Sequence, residues 1–87
     1  MTTTTKNLSL SSSSTISSAL WAYSQQMGFG GYVPTQTWTF EGGEALVYVD
    51  DRGRCWVALL LGRRTVLHEA RGLVQALQWE GITVEAS

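Results

Sequence analysis

The sequence predicts an α+β domain of order α-β-β-β-α, with a three-stranded antiparallel sheet and both helices on one face. Three observations carry this expectation. Residues 44–61 alternate like paired strands, residues 65–79 switch to helical spacing, and glycines stand at the joints between segments. Residues 82–85 alternate again, so a short C-terminal strand and a merely packed terminus are both open there.

A chain of 87 residues has room for one core, and 44% hydrophobic residues with four Trp, three Tyr and two Phe are ample to build it. Small domains bury only about 60% of the surface of their unfolded chains, so stability is expected to be modest and dimerisation is an open alternative. The first eighteen residues hold seven Ser and five Thr. Such a stretch cannot offset its ordering entropy, which predicts a flexible Ser/Thr-rich tail over 1–13 and a single domain over 14–87. Lys6 is the only basic residue near the start and no apolar run follows it, so a secretory signal is not expected.

Each element follows from local chemistry. Ser14 or Thr15 is a plausible first cap, and Ile16, Ala19, Leu20, Tyr23 and Met27 recur at three- and four-residue steps, predicting a helix over 15–27 with that face in the core. Gly28 can end it in a left-handed conformation, with Phe29 packing back. After Gly30, Gly31 and Pro34, residues 36–41 place Trp38 and Phe40 on one side and Thr37 and Thr39 on the other, which reads as the first strand. Gly42 and Gly43 suit a tight turn into a strand over 45–49. Asp50, Asp51, Arg52 and Gly53 make the next turn, and Cys55–Leu61 the third strand. Gly62 then breaks the pattern, and Thr65 is read as the cap of a second helix carrying Val66, Leu67, Ala70, Leu73, Val74 and Leu77, closed by Gly81.

This order and its glycine punctuation, over residues 15–77, resemble the double-stranded-RNA-binding domain. The resemblance implies that phosphate contacts come from lysines at the start of the second helix. Here that stretch reads Thr65, Val66, Leu67, His68, Glu69, Ala70, Arg71, so the lysines are absent. Charge points the same way. From residue 15 onward there are five arginines, no lysine and seven acids, a net charge of −2, whereas duplex binders normally show a basic stripe.

No His, Cys, Asp, Glu or Ser grouping has catalytic or metal-ligand spacing, so no catalytic residue, metal or cofactor is assigned and an enzyme is not expected. His68 and Glu69 leave a helix about 100° apart and form no dyad. Cys55 is read as a small buried hydrophobe, and the absence of a disulfide framework suggests a cytoplasmic, soluble protein with no membrane span. The functional signal lies on the strands. Cys55, Val57, Leu59 and Leu61 face one way and Trp56, Ala58 and Leu60 the other, so both faces are apolar. Something must cover the second face, either the C-terminal segment with Ile82 and Val84 or a protein partner. The expected function is a small protein-interaction module, an adaptor, regulator or inhibitor, using Trp38, Phe40, Tyr48, Trp56 and Leu60 to contact a partner or a second copy. The alternative is weak nucleic-acid binding through Arg52, Arg54, Arg63, Arg64 and Arg71, with Arg63 and Arg64 at a helix N-terminus.

Overall fold

The computed structural model describes residues 10–82 and Val84. Its sheet has five strands, not three. β1 (Ser11–Ser12), β2 (Gln36–Phe40), β3 (Gly43–Val49), β4 (Cys55–Leu61) and β5 (Arg64–Glu69) lie side by side in chain order, each antiparallel to the next. Helix α1 (Ser18–Ser24) runs into a π-helical turn at Gln25–Phe29, and α2 (Leu73–Trp79) follows the sheet.

The two added strands fall where the sequence suggests other structure. β5 occupies the first half of the expected second helix. Leu61 faces Arg64 across the two-residue connection Gly62-Arg63, and Gly62 has φ +65° while Arg63 does not have positive φ. That is the pattern of a type II′ hairpin, which matches the right-handed twist of the flanking strands and turns the chain straight back. Thr65 is therefore a strand residue, and helix α2 begins only at Leu73, after the extended Gly72. β1 lies in the expected tail, held to β2 by backbone pairing and by the hydroxyls of Thr37 and Thr39, which donate to the carbonyls of Ser13 and Ser11. Residues 1–9, and positions 83 and 85 of the expected C-terminal strand, lie outside the described residues, while Ile82 and Val84 are described and lie outside any strand.

The helices sit on opposite faces, which corrects the expectation that they share one. Ala45, Val47, Val57 and Leu59 pack with Leu73, Ala76 and Leu77 of α2. Leu46, Tyr48 and Ala58 pack with Ile16 and Leu20 of the α1 region and with Phe29. The doubly apolar strands are thus buried twice by the chain itself. Ile82 and Val84 pack against the α2 side, so the second face is covered by α1 and not by the C-terminus.

Local chemistry places α1. Ser17, not Ser14 or Thr15, is its N-cap, and the Ser17 N–H donates to both carboxylate oxygens of Glu44 on β3, at 3.2 and 3.1 Å. A negative charge at a helix start stabilises it and here also fixes the helix to the sheet. Gly28, at φ +105°, bends the chain so that Phe29 is buried, while Ala19 and Met27, expected in the core, are exposed. The β2 to β3 turn also shifts by one residue from its expected place. Gly43 faces Phe40 as a strand residue, and a Cβ there would collide with the Leu60 carbonyl oxygen and the Phe40 ring.

Candidate functional site

The strand register divides the expected partner-binding residues between the two faces. Trp38 pairs with Ala45, and Phe40 with Gly43, which puts both rings on the α2 side. Tyr48 pairs with Trp56, and Leu60 with Glu44, which puts these three on the α1 side. Alternation along one strand shows which residues share a side, but only the register between strands shows which sides coincide.

On the α1 side the aromatic residues are committed to the fold. Tyr48 is 1% exposed, stacks on Phe29 at 4.8 Å between ring centroids, and donates its hydroxyl proton to Ser24 Oγ at 3.0 Å. Ser24, fully buried, passes the chain on by donating to the Trp21 carbonyl at 2.9 Å. Trp56 is half-buried against Phe29, and its indole N–H donates to Asp50 Oδ2 at 3.0 Å. Asp50 Oδ1 in turn accepts from the backbone N–H groups of Arg52 and Arg54, both at 2.9 Å. The Trp56 hydrogen bond, helped by these amides, holds the Asp50 carboxyl below the usual carboxylate range. The charged turn at residues 50–54 is accordingly a knot that orients Trp56 inward. Nearby, the Tyr32 hydroxyl donates to Asp51 at 3.2 Å, and desolvation together with that acidic neighbour pushes its pKa up.

On the α2 side the described residues leave the cover incomplete. Helix α2, seven residues or about 10 Å long, is not prolonged by a further helical turn as α1 is by Gln25–Phe29. Between β2 and α2 it leaves an open groove of about 480 Å³. Leu10, Trp38, Leu73 and Val74 supply its apolar walls, and Val74 is 45% exposed. Gln36, Gln75 and Gln78 supply amides at the rim, and Arg71 the one charge among the lining side chains. Two hydrogen bonds set this rim. Trp38 Nε1 donates to Gln36 Oε1 at 3.3 Å, and the Arg71 N–H donates to Gln75 Oε1 at 2.8 Å, in place of the missing side-chain cap of α2. Val74 and Gln78, four residues apart on the helix, were the sequence sign of this wall.

At the opposite edge of the same face, Glu80 clamps α2 to β5. Its two oxygens accept separately from Arg64 Nη2 and His68 Nε2, each at 2.6 Å. The His68 hydrogen bond, with Arg64 adding to it, holds the Glu80 carboxyl below its ordinary range. The partner of His68 is thus Glu80, twelve residues away, and not its neighbour Glu69. Trp79, 55% exposed, meets the imidazole of His68 in a T-shaped contact with 5.4 Å between ring centroids.

The arginines do not form one surface. Arg63 and Arg64 sit at the β4 to β5 hairpin and not at a helix N-terminus, while Arg52 and Arg54 sit at the other end of β4. Seven strand residues separate those ends, roughly 20 Å. Arg64 is bound to Glu80, and Arg54 lies 3.9 Å from Glu69. Cys55 is half-buried, and burial pushes its thiol up, which keeps it protonated and unreactive at neutral pH. Among the described residues no group of three or more His, Cys, Asp or Glu could hold a metal ion, and no helix is long and apolar enough to cross a membrane. No protein family, curated protein or solved structure matches this chain.

Proposed function

We propose that the protein is a non-enzymatic interaction module that receives a segment of a partner protein in the groove between β2 and α2. The observation that carries this reading is the unequal cover of the two apolar sheet faces. α1 and Phe29 pack over one, whereas over the other the described residues leave Trp38 and an exposed Val74 along an open channel. A half-buried Trp beside apolar walls is a suitable receptor for a side-chain anchor, because aromatic residues dominate the energetics of protein contacts. Three rim amides can satisfy the backbone groups of an extended segment, and Arg71 favours an acidic residue beside the anchor. The ligand class is therefore an extended peptide with an apolar or aromatic anchor and a neighbouring carboxylate.

The arginine geometry weighs against the nucleic-acid alternative. Phosphate binding gains from contiguous positive charge, and these arginines divide between two ends of the sheet with two of them facing carboxylates. A random peptide library displayed against the full chain tests the proposal. Enriched sequences should carry the apolar and acidic pair and should lose binding at least tenfold to Trp38→Ala and to Arg71→Glu, but not to Met27→Ala, an exposed site elsewhere. No enrichment, or binding indifferent to Trp38 and Arg71, overturns it.

A further inference from the structure

We infer that two copies of this chain pair through β5, joining their sheets edge to edge. The inference is independent of the groove, which lies on the β2 side of the sheet, three strand spacings or about 14 Å away.

β5 is a six-residue outer strand, and among the described residues its only strand partner is β4. Because Leu61 and Arg64 close a two-residue hairpin, they form a hydrogen-bonded pair, and the alternation of an antiparallel ladder then turns the N–H and C=O groups of Thr65, Leu67 and Glu69 away from β4. These groups offer a template for another strand. Natural edges are usually blunted by Pro, Lys, a bulge or an inward-pointing charge, yet the middle of β5 is Thr65, Val66 and Leu67 in regular pairing. The exposed Trp79 stands beside this edge through its contact with His68, adding apolar surface.

The charge order along the edge selects a second copy as the occupant. Arginine stands at the start of the segment and glutamate at its end, so an antiparallel copy brings opposite charges together. A two-fold axis perpendicular to the sheet keeps like faces aligned and requires paired residue numbers to sum to an even value. With the axis at Val66, each Val66 faces its counterpart, Thr65 faces Leu67 of the other copy, and Arg63 faces Glu69 of the other copy. The outward-turned groups of Thr65 and Leu67 then meet in hydrogen-bonded pairs on both sides of the axis. Arg63 is exposed at the hairpin tip, and Glu69, exposed at the strand end, is paired at 3.9 Å with Arg54 of its own chain through one carboxylate oxygen, which leaves the other oxygen for Arg63 of the second copy. Each pair occurs twice by symmetry.

Sedimentation equilibrium of the full chain over a concentration series tests the pairing. The expected mass is twice the 9.5 kDa of one chain. Arg63→Glu places like charges opposite each other at two points and should weaken association about tenfold or more. The double variant Arg63→Glu with Glu69→Arg should restore it. Amide exchange at Thr65 and Leu67 should slow as concentration rises, while circular dichroism of each variant checks that the fold is intact. A chain monomeric at all concentrations, or a dimer indifferent to Arg63→Glu, overturns the inference.

Discussion

Replacing Tyr48 by Ala tests directly whether the second apolar face is closed by the chain's own helix. Tyr48 is 1% exposed, its ring stacks on Phe29, and its hydroxyl is bonded to the fully buried Ser24. Truncating a large buried aromatic residue to Ala typically costs about 3–5 kcal/mol. Loss of the hydroxyl removes a further neutral hydrogen bond of about 1 kcal/mol, although Ser24 keeps its bond to Trp21. For a domain of 87 residues the whole stability is expected near 4–13 kcal/mol, so the variant should lose from about a third to all of it. Tyr48→Phe isolates the second contribution and should cost only about 1 kcal/mol. Urea unfolding followed by tryptophan fluorescence reads both, with the midpoint lowered and the slope unchanged. A loss under about 1 kcal/mol for Tyr48→Ala would mean that α1 does not cover this face.

Three further outcomes follow from particular contacts. Gly43→Ala forces a Cβ into the Leu60 carbonyl and the Phe40 ring, and should cost about 1–3 kcal/mol in the same urea assay, whereas the substitution at Gly31, where a Cβ meets nothing within 4 Å, should be near neutral. Glu80→Gln removes the charge from two short hydrogen bonds, one to a largely exposed Arg64, and should cost about 1–2 kcal/mol. Because folding lowers the Glu80 pKa, its contribution is complete above the ordinary glutamate pKa and is lost as pH falls through the lower folded value. Wild-type stability should therefore decline on acidification more steeply than that of Glu80→Gln, as denaturation at stepped pH will show. Glu44→Ala frees the Ser17 amide and should destabilise α1 by about 1 kcal/mol, seen as faster amide exchange in its first turn.

Much of the central sheet was legible from local chemistry. The alternation of Trp38 and Phe40 with Thr37 and Thr39, and the Asp-initiated turn at residue 50, mark β2 to β4 because turn residues and period-two patterns act within a few positions. The β5 segment satisfies two periods at once, since Val66, Leu67, Ala70 and Leu73 have helical spacing while Val66 and Leu67 equally suit a strand buried in part on both faces. Gly62 followed by Arg63 was the sign that could have separated the two. β1 carries no hydrophobic pattern at all, since two serines are held by backbone bonds and by hydroxyls that lie some 25 residues away in the chain. The sequence did require a cover for both sheet faces. It could not say that Leu20 and Phe29 supply one of them, nor that Trp38 and Tyr48 lie on different faces, because both depend on register across strands.

The most direct measurement for the central claim is chemical-shift mapping of the labelled chain with a peptide enriched in the library selection. Shifts should concentrate at the Trp38 indole, the Gly72 to Gln75 backbone amides and the Gln36 and Gln78 side-chain amides, with the Trp56 indole and α1 unmoved. Shifts centred on α1, Trp56 or the arginine turns, with the β2 to α2 groove silent, would contradict it.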